Sequence, residues 1–165
     1  DNELQLEVNS ISPYLLTKGL LPLLEKGKNP FVVNTATAGL NNKKSVDISS
    51  FKKPKKFTKL LGSYIDSKLT MVLLMNHLSA EWKNIRFVSV DPGAIKTKMT
   101  AGSGMPFWLK PIRNLFFKSP KDGAENLYNE AFGKKNEGSG IYISSGNIKD
   151  MKVSISDDEL IELMK

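Results

Sequence analysis

The hydrophobic pattern divides the chain into helices that alternate with short apolar strands. Helical periodicity runs from about residue 4 to 26 and again from about 61 to 82. Short apolar runs with little polar alternation occur at 31–35, 86–90 and 140–144. Such runs are typical of strands in a parallel sheet, whose two faces are both covered. The alternation therefore predicts an α/β fold with a parallel sheet.

Capping signals predict two more helices. Ser119 is followed by Pro120 and Asp122, an arrangement that starts a helix running to about residue 132. Ser156 and Glu159 have the spacing of a capping box and open a terminal helix to about residue 164. Asp91, next to Pro92, is predicted to form a turn after the second strand rather than to act as an acid.

Composition narrows the classes of function. The 165 residues suit one domain, and 40% hydrophobic with 25% charged residues is ordinary for a globular protein. The absence of cysteine excludes disulfides and thiolate sites, and the single histidine excludes a multi-histidine metal site. Without a signal peptide or an 18-residue apolar run, a cytoplasmic protein is expected. The sequence starts within a helical pattern, which suggests a chain entered partway through a larger protein.

Positive charge is concentrated in one lysine-rich segment. The net charge is +7, and much of it comes from five lysines near Pro54: Lys52, Lys53, Lys55, Lys56 and Lys59. Such a cluster suits nucleic acid or an anionic membrane, or simply a solvated loop. The loop is favoured, and no nucleic-acid partner is expected, because no aromatic ladder or nucleic-acid motif accompanies the lysines.

Tyr64 and Lys68 are the first candidates for chemistry. Four residues apart in a predicted helix, they lie on one face about one turn from each other. A tyrosine normally ionises near pH 10, and a nearby ammonium lowers that pKa and makes the phenol usable for proton transfer. The same spacing is also common on ordinary helix surfaces.

Two predicted strand ends strengthen this candidate. Thr37 closely follows the strand at 31–35, and Asp91-Pro92-Gly93 follows the strand at 86–90. The carboxyl ends of parallel strands open onto a ligand crevice. Both strand ends and the helix that carries Tyr64 are therefore expected to meet at one site.

Motifs at these positions resemble the short-chain dehydrogenases/reductases. Val8-Asn9 resembles the family's active-site asparagine, and Phe31 to Thr37 resembles the strand that leads to its catalytic serine. Tyr64 to Lys68 fits the YxxxK motif with serine before lysine, and Pro92-Gly93 with Thr97 fits the PG-x-x-x-T segment. The long gap between Thr37 and Tyr64 and the Ser119-Pro120-Lys121-Asp122-Gly123-Ala124 helix start are similar to the retinol-dehydrogenase-like branch.

The resemblance implies a partial Rossmann-type, doubly wound parallel sheet over residues 1–165 and a site that uses NADP or NAD. Catalytic roles would fall to four residues: Tyr64 as acid/base, Lys68, Thr37 and Asn9. Lys68 would lower the Tyr64 pKa and bind the nicotinamide ribose, and Asn9 would help to hold a proton-relay water. The nicotinamide pocket would be lined by Pro92, Gly93, Ile95 and Thr97.

Two features depart from the family pattern. Thr37 stands where the family has serine, and its extra methyl group fixes the rotamer and crowds the site. The glycine-rich turn that receives a cofactor pyrophosphate is missing, because Gly102-Ser103-Gly104 follows no strand. The chain as it stands is expected to bind a dinucleotide poorly and to be inactive alone.

Residues 98–118 form a predicted flap that is rich in apolar side chains. By the resemblance it would close over a lipophilic alcohol or carbonyl; its basic residues also suit peripheral membrane contact, and packing on the core is the third alternative. The expected function is an NAD(P)-dependent oxidoreductase that forms a homo-oligomer through helices 4–26 and 61–82. The alternative is a truncated or degenerate, non-catalytic association module.

Overall fold

Four strands form the sheet of this computed structural model, which describes residues 4–44, 62–101, 110–133, 137–151, 153 and 156–163. They are β1 (Phe31–Thr35), β2 (Arg86–Asp91), β3 (Ile141–Ser144) and β4 (Asn147–Lys149), in that spatial order. β1, β2 and β3 are parallel. The three predicted strands and the α/β fold are confirmed. The lysine cluster at 52–59 and Gly102-Ser103-Gly104 lie outside the described residues.

The register brings the carboxyl ends of three strands to one edge of the sheet. Thr35 at the end of β1 lies opposite Val90, and Asp91 at the end of β2 lies opposite Ser144. Residues that follow β1 and β2 in the sequence therefore emerge side by side, although more than fifty positions separate them.

β4 was not expected from the hydrophobic pattern. It pairs with β3 in antiparallel orientation through the two-residue turn Ser145-Gly146. Both turn residues have positive φ, 54° and 74° respectively, as a tight hairpin turn requires. All three residues of β4 are exposed, so this strand lacks the apolar signature used to find the others.

The first predicted helix is interrupted by a π-helical segment. It consists of α1 (Leu4–Leu6), the π segment Glu7–Ile11 and α2 (Ser12–Leu24). The amide of Ser12 bonds the carbonyl of Glu7, five residues back. Pro13 has no N–H to give to the carbonyl four residues earlier, which is that of Asn9. The helix is therefore disturbed next to Pro13, in the form of a π segment that contains Asn9.

Helix α3 (Ser63–Glu81) forms the core on one face of the sheet. It follows the predicted bounds closely, and its buried apolar residues include Leu69, Leu74 and Leu78, each 0% exposed. They share a cluster with Tyr14 of α2 and Phe87 of β2.

A smaller cluster covers the other face of the sheet. There Val88, Val90 and Ile143 pack against Ala131 of a helix that runs from Pro120 to Phe132. This helix begins with the predicted capping box, in which the Ser119 side chain accepts from the amide of Asp122. Burial on both faces explains why the parallel strands read as unbroken apolar runs.

Short helices complete the described part of the chain. They are α4 (Lys98–Ala101) and α5 (Lys110–Phe116) within the predicted flap, and the terminal α7 (Asp157–Leu163), which comes after α6 (Pro120–Phe132). Residues 102–109 of the flap lie outside the described residues. Among the helices described, none is both long and apolar enough to cross a membrane.

Truncating the core of α3 should destabilise the protein strongly. Leu74→Ala removes a side chain with 0% exposure and leaves a cavity, so the free energy of unfolding should fall by about 2–5 kcal/mol. Leu115→Ala is a matched control, because Leu115 is 78% exposed and its truncation should have little effect. Urea denaturation followed by circular dichroism measures both. Equal losses in the two variants would contradict the placement of α3 in the core.

Candidate active site

Tyr64 and Lys68 project from the first turns of α3 beside the end of β1. Each side chain is about half-buried. The Lys68 Nζ donates a hydrogen bond to the carbonyl oxygen of Thr35 at 2.9 Å. This contact ties the helix that carries both residues to the last residue of β1. Burial lowers the pKa of Lys68, because desolvation disfavours the ammonium form.

The pKa of Tyr64 does not shift in the expected direction in this arrangement. Burial of the phenol raises it above 10.0; a hydrogen bond with the Thr37 side chain acts in the opposite sense, and the charge of Asp91 adds to the rise. Lys68 is not among the groups that shift it. The expected lowering of the Tyr64 pKa by Lys68 is therefore wrong; the Lys68 Nζ donates to a backbone carbonyl instead.

Thr37 lies between β1 and a short 3-10 helix, Ala38–Asn42. Its backbone is extended, with φ −154° and ψ 144°, and its carbonyl accepts the amide of Leu40 at 3.1 Å. A salt bridge of 2.5 Å between Lys43 and Asp66 joins this loop to α3. The structure therefore brings Thr37 to Tyr64, as expected from the two strand ends.

Asn9 lies against α3 but contacts Ser67 rather than Tyr64 or Lys68. Its Nδ2 donates to the Ser67 hydroxyl at 3.1 Å, and that hydroxyl donates to the Tyr64 carbonyl at 2.8 Å. The neighbouring Ser10 hydroxyl donates to the Ser67 carbonyl at 2.5 Å. These bonds fix the π segment to the turn of α3 that carries the tyrosine and lysine.

Pro92 and Gly93 form a sharp turn immediately after β2. The buried Asp91 carboxylate accepts the Gly93 amide through Oδ1 at 3.0 Å, which confirms that Asp91 forms the turn. Gly93 has φ +83°, a conformation that costs other residues about 1–2 kcal/mol. A Cβ atom on Gly93 would meet none of the described residues within 4 Å, so among them this position leaves room for a ligand.

Ile95 and Thr97 are engaged elsewhere through their side chains. Ile95 packs on Gly123 at the start of α6 so closely that a Cβ atom there would overlap it. The Thr97 hydroxyl accepts the Thr100 amide at 3.2 Å and caps α4. Ile95 is half-buried, so its place in a nicotinamide pocket stays a prediction.

Two of the candidate residues, Pro92 and Gly93, line a cavity after β2. Pro92 and Gly93 line an open cavity of about 320 Å³ together with Asp91, Lys118, Asn126, Glu130, Ser145 and Gly146. Tyr64, Lys68 and Thr37 are not part of its lining. Both groups of residues lie at the same edge of the sheet.

Three polar side chains that are linked to Asp91 near the site gave little signal in the sequence. Tyr142 and Ser144 lie on β3, Asn41 lies on the 3-10 helix, and Asp91 ends β2; hydrogen bonds join all four. Tyr142 and Ser144 occur in a strand recognised only by its apolar residues, and Asn41 in a segment that reads as a loop. The one available signal was the polar Ser144 at the end of a buried strand.

The described turns do not supply a phosphate-binding loop. β1 passes into the 3-10 helix with one glycine, Gly39, where a Cβ atom would lie 2.9 Å from Ile65. β2 passes into the Asp91-Pro92-Gly93 turn and then into α4, which has four residues. Neither turn opens a long helix onto free space, as a pyrophosphate site needs.

Comparison with known proteins confirms the resemblance to short-chain dehydrogenases/reductases. The chain is 28% identical over 129 residues to retinol dehydrogenase 11 of Mus musculus, covering 76% of the chain and 40% of the relative. It is 28% identical over 163 residues to dehydrogenase/reductase SDR family member 13 of Homo sapiens, covering 94% and 43%. The chain thus spans less than half of either relative. No family model matches it.

Solved structures share the fold. Salutaridine reductase from Papaver somniferum superposes with a TM-score of 0.63 at 19% identity, over 83% of the chain and 52% of the reductase. A short chain dehydrogenase from Shigella flexneri complexed with NADP gives 0.56 at 21% identity, over 83% and 50%. These likenesses confirm a Rossmann-type α/β sheet of which the chain holds about half.

The pKa of Tyr64 can be tested directly. In a titration followed at 295 nm, Tyr64→Phe should remove a component with a midpoint above the ordinary 10.0, whereas exposed Tyr128→Phe should leave that component in place. A raised pKa in the folded state favours the neutral phenol. Stability relative to Tyr64→Phe should therefore be retained below pH 10 and fall as pH rises through the folded-state pKa. A titration midpoint of Tyr64 at or below 10.0 would contradict the raised pKa.

Proposed function

We propose that this chain carries the acid/base and nicotinamide-side half of an NAD(P)-dependent oxidoreductase that interconverts a hydroxyl and a carbonyl. The carrying observation is that Tyr64, Thr37 and Lys68 meet at the ends of parallel strands. Sequence similarity to retinol dehydrogenase 11, over 76% of the chain, supports the same class of reaction. A lipophilic alcohol or carbonyl compound is the proposed substrate.

Tyr64 would exchange a proton with the substrate oxygen. Its raised pKa keeps the phenol protonated at neutral pH, which suits donation to a carbonyl during reduction. Thr37 hydrogen-bonds Tyr64 and can also orient the substrate oxygen, because one hydroxyl both donates and accepts. In the oxidising direction the same pair would remove the proton from the alcohol.

Lys68 would help to hold the cofactor. An ammonium group has three N–H donors, and the carbonyl of Thr35 accepts one of them, which leaves donors for a ribose hydroxyl. The bound nicotinamide would supply or accept the hydride, whereas these residues orient the substrate and hold its proton.

The described residues fit the nicotinamide end of a dinucleotide but not its pyrophosphate. Gly93 has open space around it and lies at the same sheet edge as the Lys68 contact. The glycine-poor turn after β1 gives no phosphate cradle. We therefore expect cofactor binding and turnover only when this chain is accompanied by the remaining half of the fold. NADP and NAD both remain candidates.

The flap supports a lipophilic substrate. Arg113 of α5 donates to the Thr100 hydroxyl at 3.1 Å, which ties α5 to the segment after Gly93. On this helix Leu115 and Phe116 are 78% and 74% exposed. An apolar ligand at the site would cover such side chains.

Association between copies is a second proposal, and it rests mainly on α2. Four leucines of this helix, Leu15, Leu16, Leu20 and Leu23, are 42–66% exposed. Helix α3 contributes less than expected, because most of its residues are buried within the chain. We propose a homo-oligomer through α2; the non-catalytic alternative would keep only this role.

Replacing the tyrosine should abolish turnover in the intact dehydrogenase. Tyr64→Phe removes the exchangeable proton but keeps the ring, so kcat for a lipophilic alcohol should fall by about 10²–10⁴-fold. Tyr128→Phe, at an exposed position of α6, should leave kcat unchanged. Steady-state kinetics with NADP and with NAD measure both variants. Full activity of Tyr64→Phe would disprove the assignment, and an inactive wild type would favour the non-catalytic alternative.

The α2 surface has its own test. Leu16→Lys combined with Leu23→Lys places charges on exposed apolar positions, so sedimentation velocity should show a smaller species than the wild type. Leu115→Lys, on α5, provides the matched control and should sediment as the wild type. An unchanged species in the double variant would mean that copies do not associate through α2.

A further inference from the structure

A continuous chain of hydrogen bonds links the carbonyl of Thr37 to the turn at Gly93. Tyr142 of β3, 1% exposed, places its hydroxyl 2.9 Å from the Thr37 carbonyl oxygen and 3.1 Å from Asn41 Oδ1. The Asn41 Nδ2 donates to the Ser144 hydroxyl at 3.2 Å. This series of hydrogen bonds thus runs from the loop after β1 to the end of β3.

Asp91 is the last side chain in this series of hydrogen bonds. The buried Ser144 hydroxyl donates to Asp91 Oδ2 at 2.9 Å, while Asp91 Oδ1 accepts the Gly93 amide at 3.0 Å. The Tyr142 hydroxyl carries one proton, which it shares between the Thr37 carbonyl and Asn41 Oδ1 as a three-centre bond. The donors of Asn41 and Ser144 can both point towards the carboxylate, which only accepts when it is ionised. Bonds aligned in this way polarise one another and resist rearrangement. Burial raises the pKa of Tyr142 to about 12, so its hydroxyl remains a donor.

The residues at both ends of this series of hydrogen bonds belong to the proposed site. The Thr37 carbonyl also accepts the amide of Leu40 at 3.1 Å, so two donors hold that peptide group. The Thr37 side chain in turn hydrogen-bonds Tyr64. Threonine is β-branched and stiff at χ1, so its hydroxyl cannot readily rotate to compensate for a displaced backbone. Whatever fixes the Thr37 backbone therefore fixes the hydroxyl beside Tyr64.

We infer that Tyr142 and Asn41 are positioning residues, which act through the Thr37 backbone to hold its hydroxyl in register with Tyr64, with Ser144 and Asp91 as their anchor. This inference rests on the proposed function. Neither residue touches the reacting atoms. Their effect should appear in kcat and depend on which side chain occupies position 37.

The test is a double-mutant cycle in the intact dehydrogenase. Tyr142→Phe should lower kcat about tenfold with little change in the KM for cofactor, because misplacement of a reacting group slows the chemical step. In a Thr37→Ser background the unbranched side chain can choose another rotamer. The loss caused by Tyr142→Phe should then shrink to about twofold, the signature of coupled residues.

Two further variants make the result decisive. Asn41→Ala changes an exposed residue and is expected to fold. The loss of kcat that it causes should again be smaller in the Thr37→Ser background. Tyr128→Phe controls for loss of a tyrosine hydroxyl elsewhere. Equal losses in both backgrounds, or unchanged kcat in Tyr142→Phe and Asn41→Ala, would overturn the inference. Failure of the proposed function would show differently, as full activity in Tyr64→Phe.

Discussion

The parallel register of β1, β2 and β3 is the constraint on which the site depends. Because Thr35 lies opposite Val90 and Asp91 opposite Ser144, three strands end at one edge of the sheet. At this edge Lys68 of α3 donates a hydrogen bond to the carbonyl of Thr35. A slip by one residue would exchange the two faces of a strand and bury its polar residues in the apolar clusters. The same pairing that builds the core therefore places the chemistry.

Burial at this edge has opposite effects on the two catalytic candidates. It raises the pKa of Tyr64 and lowers that of Lys68, so it favours the neutral form of both groups. A neutral phenol is the form that can give a proton to a carbonyl. The polar contacts that remain, with Thr37 and with the backbone of Thr35, orient the two side chains without supplying a full counter-charge. The side chains of Tyr64 and Lys68 are therefore already oriented. A ligand in contact with both would supply the counter-charge that they lack.

Elements with strong periodicity were predictable from the sequence, and side-chain networks were not. The apolar runs located β1, β2 and β3, and Ser119 with Asp122 located the start of α6. β4 escaped because it is exposed and is defined by the Ser145-Gly146 turn rather than by hydrophobicity. Motif spacing found Tyr64 and Thr37, but it could not find Asn41 or Tyr142, which meet Thr37 only through the folded sheet. Burial could not be read from spacing either, so the direction of the Tyr64 pKa was missed.

We propose that the described residues form the reactive part of a larger site, because the apolar edge of the sheet at β1 contrasts with the polar network at the carboxyl ends of the strands. β1 is apolar towards both clusters, with Val32 against one and Val33 against the other, yet it pairs on one side only among the described strands. Parallel strands of this type are normally interior. Polar contacts at its carboxyl end, by contrast, are already joined into a network that reaches Asp91 and Ser144. A further strand beside β1 would satisfy the unpaired edge without disturbing that network, so the geometry around Tyr64 is set within this chain even if cofactor phosphates are bound outside it.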